Sequence, residues 1–202
     1  MIEKRNVIFR YKGKRDYIHG TDMFNEIFSV IHETNLTNIL FSVHDFIRPR
    51  SCEIYTTSIK EEITAIEGVK SRCQVNVDGE TRWLALKENS MQTGDNDSRY
   101  EYDENHVISL CELREESISL MGHSPFTFIE TVVAMNKRLL EELFPDANGK
   151  WVFTRIDLDF LSYADTNLCL NFKHNMNFRL VKSEIIEGGQ KIGDIYFSLV
   201  KS

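Results

Sequence analysis

Two histidines in this chain stand at the same spacing ahead of a glutamate. His19-Gly20-Thr21-Asp22-Met23-Phe24-Asn25-Glu26 and His123-Ser124-Pro125-Phe126-Thr127-Phe128-Ile129-Glu130 both fit H-x-x-x-x-F-x-E. An imidazole that titrates near neutral pH suits a general base, and a carboxyl group with a raised pKa suits an acid, so His19, Glu26, His123 and Glu130 form the inventory of acid–base catalysis. Each histidine directly precedes a segment of helical apolar spacing. The first N–H groups of a helix are unpaired and carry the positive end of its dipole, so they can receive charge developing on a substrate oxygen. That gives Gly20 and Ser124 a substrate-binding role. Asp22 adds a further carboxylate at a helix start, either as an acid or as an N-cap. The structural alternative stands beside each assignment: His19 bonding to backbone in a loop, and Glu26 and Glu130 as acids favoured by the dipole.

Basic residues make a second candidate set. Lys12-Gly13-Lys14-Arg15 and Arg48-Pro49-Arg50 offer charged donors to phosphate oxygens, which points to Lys14, Arg15, Arg48 and Arg50 as contacts for a phosphate-bearing substrate or an acidic partner surface. A solvated turn is the alternative. Other chemistries lack their motifs. His32-Glu33-Thr34-Asn35-Leu36 has no second histidine for H-E-x-x-H, and there is neither a G-x-S-x-G elbow nor a glycine-rich phosphate loop. Cys52, Cys73, Cys111 and Cys169 form no C-x-x-C pair and lie in apolar segments, as reduced core thiols do, with no local group to lower their pKa. No metal site and no resident cofactor are expected. His44-Asp45 reads as a partly exposed pair on an alternating strand, and His174 as a strand end.

The elements that must position these residues recur. Leu40-Phe41-Ser42-Val43-His44-Asp45-Phe46 and Val152-Phe153-Thr154-Arg155-Ile156-Asp157-Leu158 share an apolar-F-[ST]-x-x-D-apolar pattern. Cys52-Glu53-Ile54-Tyr55 matches Cys169-Leu170-Asn171-Phe172, and Trp83–Lys87 matches Tyr196–Lys201, all in the same order, which suggests an internal duplication. The polar run 91–98 is expected to link halves 1–90 and 99–202. In the first half, the pattern predicts a strand over 6–12, a helix over 21–32 capped by Thr21 or Asp22, and strands over 38–47, 52–59, 69–77 and 81–87, the last two joined by Asp78-Gly79. In the second, it predicts strands over 106–113 and 117–121, a helix over 125–144 with Pro125 in its first turn, and strands over 150–160, 167–174, 178–187 and 193–201.

Composition narrows the function. With 24 Lys+Arg against 31 Asp+Glu, the net charge of −7 argues against a protein that coats nucleic acid. No apolar run approaches the ~20 residues of a membrane span, and the first residues lead into an alternating strand, so a soluble cytoplasmic protein is expected.

A strand, a long helix and four antiparallel strands, present twice, resemble the double hot-dog superfamily. The resemblance implies an α+β tandem hot-dog, each half one long helix wrapped by an antiparallel sheet. Gly122-His123-Ser124-Pro125 is similar to the Gly-His-Phe-Pro loop of 3-hydroxyacyl thioester dehydratases, with Ser124 in place of the aromatic residue; Asp16-Tyr17-Ile18-His19-Gly20 is similar to the Asp and His before the helix in hot-dog thioesterases. The resemblance implies action on acyl groups carried by coenzyme A or by the phosphopantetheine of an acyl carrier protein. Dehydration stands first, thioester hydrolysis second, and a non-catalytic binding or assembly module third. If the halves pack as a pseudo-dimer, the resemblance pairs His123 with Glu26 or His19 with Glu130. A homodimer through an exposed edge or helix face is compatible with this plan.

Overall fold

Burial alternates along Val69–Val77, where Ser71, Cys73, Val75 and Val77 are buried and the residues between them are half-exposed, so one face of this strand looks onto a core. The computed structural model describes residues 2–89 and 98–201. It divides into two units, Met1–Asp103 and Glu104–Ser202. Apart from Ser98, the linker expected at 91–98 lies outside the described residues.

In the first unit the elements run β1 (Glu3–Ile8), β2 (Tyr11–Lys12), α1 (Gly20–Ser29), β3 (Leu36–Val43), β4 (Ser51–Thr57), α2 (Lys60–Thr64), β5 (Val69–Val77), β6 (Glu80–Glu88) and β7 (Arg99–Tyr100). The sheet order is β1-β4-β6-β5-β3, antiparallel at every step. Helix α1 buries Met23, Phe24, Ile27 and Phe28, spaced as one helical face, and the Phe24 ring meets Phe41 of β3 edge-on at 5.3 Å. Asp78 and Gly79 both take positive φ, 50° and 89°, the twist that a two-residue hairpin needs, as the sequence predicts. Strands β4 and β5 run parallel with β6 between them, and α2 lies in the crossover that joins them. Ile63 anchors α2 by being buried, while Thr57 Oγ1 receives the Ile59 N–H at 3.2 Å. Strands β2 and β7 form a separate short parallel pair, Tyr11 opposite Arg99 and Lys12 opposite Tyr100.

The second unit runs α3 (Asn105–Ile108), β8 (Cys111–Arg114), β9 (Ser117–Leu120), α4 (Phe128–Leu143), β10 (Lys150–Phe160), β11 (Leu168–Met176), β12 (Leu180–Glu187) and β13 (Gln190–Val200). Its sheet order is β8-β9-β11-β12-β13-β10, again antiparallel. Every residue of α4 from Phe128 to Asn136 is buried, and β9, β10, β11 and α3 pack against this helix. An α+β architecture of antiparallel sheet and few helices is therefore present, and no helix among the described residues is long and apolar enough to cross a membrane. The order of the last two strands differs between units. Those after the crossover in the first, β5 and β6, exchange places relative to β12 and β13, which continue a meander from β11.

Local corrections follow from capping and breaks. Helix α1 is capped by His19, with Thr21 and Asp22 inside its first turn, and it ends at Ser29 rather than residue 32. Helix α4 starts after Pro125, because Thr127 and Glu130 form a reciprocal capping box that satisfies two backbone donors. The strand expected over 106–113 is the turn of helix α3 followed by β8, since only Val107 of α3 is buried. The strand expected over 6–12 breaks at Phe9, whose N–H and carbonyl both bond Arg50.

Gly193 of β13 lies so close to β10 that a Cβ there would stand 2.2 Å from the Asp157 carbonyl oxygen. Gly193→Ala is expected to lose about 2 kcal/mol of stability, as overpacking does, read as a lower midpoint in urea denaturation with unchanged slope.

Candidate active site

At the front of α1, the turn after β2 brings five side chains together. Lys12, with 0% of its surface exposed, donates from Nζ to Thr21 Oγ1 at 2.7 Å and pairs with Asp22 Oδ1 at 3.1 Å. The Tyr100 hydroxyl donates to the same Asp22 oxygen at 2.6 Å, and the Tyr102 ring centroid lies 4.4 Å from the ammonium. The dipole of α1 is positive at this end, so a buried ammonium here requires Asp22 beside it. His19 is the N-cap. Its Nδ1 lies 2.9 Å from Thr21 Oγ1 and receives the Thr21 N–H at 3.5 Å.

At the front of α4, the loop from β9 meets the loop from β10. The Ser124 N–H donates to the Asp165 carbonyl at 2.8 Å, and His123 Nδ1 lies 3.3 Å from Asp165 Oδ2. A carboxylate only accepts, so Nδ1 carries the hydrogen and the Nε2 lone pair is available to take a proton. This dyad is open to solvent: the His123 side chain is 81% exposed, and Met121 and Tyr163, each two residues before a member of the dyad in the chain, are exposed as well. Ser124 is no nucleophile. Thr131 Oγ1 donates to the Thr127 carbonyl at 2.9 Å, so Ser124 Oγ donates its hydrogen to Thr131 Oγ1 at 2.6 Å, and it accepts from Phe126 N–H at 3.2 Å.

The other predicted residues divide. Glu130 is buried, and its Oε2 receives Thr127 N–H at 3.0 Å and Thr127 Oγ1 at 2.8 Å, which uses this oxygen as a cap. Glu26 is half-buried on α1, and among the described residues its carboxylate makes no ion pair. Gly20 opens α1, where the sequence predicts substrate-facing N–H groups. Arg50 is buried and donates from Nε to the Phe9 carbonyl at 2.7 Å, so it is a brace for β1 and not the phosphate contact expected of it. Arg48 pairs in solvent with Asp16 at 3.1 Å, both side chains being exposed. Lys14 is exposed, and the Arg15 guanidinium lies 5.9 Å from the Tyr102 ring centroid. The cysteines are free; burial pushes Cys52 up to about 12 and Cys111 up to about 11, and raises Cys73 as well, which removes thiolate chemistry at these three. Asp45 pairs with Lys70 at 2.5 Å and His44 faces Ser42, so the two do not act together.

Sequence reasoning missed Asp165, Tyr100 and Tyr102, and read Lys12 as part of a solvent-facing basic cluster where the structure buries it. Asp165 lies 42 residues from His123 in a loop of Tyr, Ala, Asp and Thr with no periodic signal. No protein-family model matches the chain, and no curated protein matches it in sequence. Among solved structures it is similar to a proposed thioesterase II from Thermobifida fusca, at TM-score 0.51 and 9% identity over 98% of this chain and 92% of that one. A proposed thioesterase from Novosphingobium aromaticivorans gives TM-score 0.50 and 8% identity over 98% of this chain and 95% of that one. The chain has a hot-dog fold. In hot-dog terms, both candidate fronts lie at the N-terminus of a long helix packed on an antiparallel sheet. At such low identities the likeness is one of fold, and the side chains carry the rest.

Two substitutions separate architecture from chemistry. Lys12→Met strands Asp22 without its cation and is expected to cost about 3 kcal/mol, measured by chemical denaturation. Glu130→Ala is expected to cost about 1 kcal/mol through the lost cap, whereas Glu130→Gln, which keeps an accepting oxygen, stays near wild type in the same measurement.

Proposed function

We propose that the chain acts on acyl thioesters, with His123 as general base and Asp165 holding its ring. The observation that carries this reading is the His123–Asp165 hydrogen bond at a helix front, where a base oriented by a carboxylate leaves Nε2 free to accept a proton. The hot-dog fold of the two similar solved structures, both described as thioesterases, supports the substrate class. The substrate's acyl group rides on coenzyme A or on phosphopantetheine, and the fold repeats in tandem within the chain.

Exposure of the dyad favours water as the proton source. His123 Nε2 takes a proton from water as its oxygen attacks the thioester carbonyl carbon. The carbon–sulfur bond then breaks, the carbonyl re-forms, and the imidazolium returns the proton to the leaving thiolate. No covalent enzyme intermediate is needed, which suits a site whose neighbouring serine has its hydrogen engaged. The first N–H groups of α4 present the positive end of a dipole to the developing oxyanion. Dehydration of a 3-hydroxyacyl thioester is the second reading: the same imidazole would remove the α-proton and, as imidazolium, return it to the departing hydroxyl.

Incubation with saturated and 3-hydroxyacyl coenzyme A thioesters, followed by mass spectrometry, decides between them. Hydrolysis predicts free coenzyme A; dehydration predicts loss of water with the thioester intact. His123→Ala is expected to slow either reaction by about 100-fold with an unchanged melting temperature. A panel that is inert on both carriers sinks the proposal.

A further inference from the structure

We infer that Lys12 and Thr21 are positioning residues that hold His19 with its proton on Nε2, so that the two histidines at the helix fronts have opposite proton roles. The argument is one of hydrogen-bond direction. An ammonium group only donates. Lys12 Nζ stands 2.7 Å from Thr21 Oγ1, so that oxygen accepts there, and its single hydrogen goes to another acceptor. His19 Nδ1, 2.9 Å from the same oxygen, is that acceptor, since it also receives the Thr21 N–H. A ring nitrogen that accepts from both sides carries no hydrogen, and the neutral imidazole then has its hydrogen on Nε2.

The arrangement is held from behind. Lys12 and Thr21 are both buried, so their hydrogen bonds are not exchanged for bonds to water. Asp22 Oδ1 at 3.1 Å and the rings of Tyr102 and Tyr100, with centroids at 4.4 and 5.7 Å, keep the ammonium beneath Thr21. Asp165 imposes the reverse at His123, where Nδ1 is the donor and Nε2 the acceptor. One histidine offers a hydrogen to an oxygen and the other a lone pair to a proton. The functional half of this inference rests on the acyl-thioester reading: a histidine with its hydrogen on Nε2 and Nδ1 engaged is no base, which leaves that role to His123. Lys12 acts through Thr21 and touches no substrate.

The test is a long-range proton–nitrogen spectrum of the full chain labelled with 15N-histidine, recorded at alkaline pH. The expected result is a pyridine-like Nδ1 and pyrrole-like Nε2 in His19, with the assignment reversed in His123. Thr21→Val is expected to draw the two ring-nitrogen shifts of His19 together as tautomers mix, and Thr21→Ser to restore them. If His19 shows a pyridine-like Nε2, or if Thr21→Val leaves its ring shifts unchanged, the inference is overturned. The expected ring shifts in a chain that turns over no thioester would support the tautomer assignment and overturn the acyl-thioester reading by itself.

Discussion

Placing an ammonium group out of water beside the positive end of a helix is unfavourable on both counts, and the front of the first unit is organised around offsetting that cost. Asp22 supplies the counter-charge, Tyr100 fixes the orientation of Asp22, and Tyr102 covers the ammonium with the negative face of its ring. Each of these depends on the short β2–β7 pairing, which brings Lys12 and Tyr100 to the same register position although they lie 88 residues apart in the chain. Thr21 and His19 then inherit their orientation from Lys12. One desolvated charge thus sets a chain of hydrogen bonds that ends on a histidine.

The second unit solves the same problem at its helix front by different means. Among the described residues no cation is buried there; Thr127 and Glu130 cap the helix reciprocally, and Ser124 and Thr131 lock the approach. With the cap made by threonine and glutamate, His123 is released from capping duty and stands in the loop, where Asp165 directs it. Where the histidine is itself the cap, as in the first unit, its Nδ1 is consumed by the helix. Occupation of the N-cap position is what separates the two environments.

Much of the fold was legible because burial enforces alternation. Strands β5 and β10 run over the predicted residues, and the Asp78-Gly79 turn follows from the backbone freedom of glycine. Helix starts were misread where side-chain capping outweighed a general preference: Pro125 suits a first turn, yet the Thr127–Glu130 box satisfies two backbone donors and starts the helix at Phe128. Helix α2, only one turn long, is too short to show periodicity. Both histidines were legible as candidates, but the residues that direct them were not. A lysine in a run of basic residues reads as solvated, and only tertiary structure brings Asp22, Tyr100 and Tyr102 around it. Arg50 shows the same failure in reverse, its charge spent on a backbone carbonyl in the interior.

The exchanged strand order carries a consequence for how each unit acquires its sheet. In the second unit, β11, β12 and β13 pair successively as chain neighbours, so each hairpin closes only a short loop before the next forms. In the first, β4 pairs with β1, which lies well before it in the chain, and with β6, which arrives after the chain has passed through α2 and β5. Closing those longer loops consumes chain entropy before any pairing compensates for it. The meander of the second unit is therefore the natural early scaffold, and the first unit is the slower to mature, its sheet completed from the β5–β6 hairpin outward.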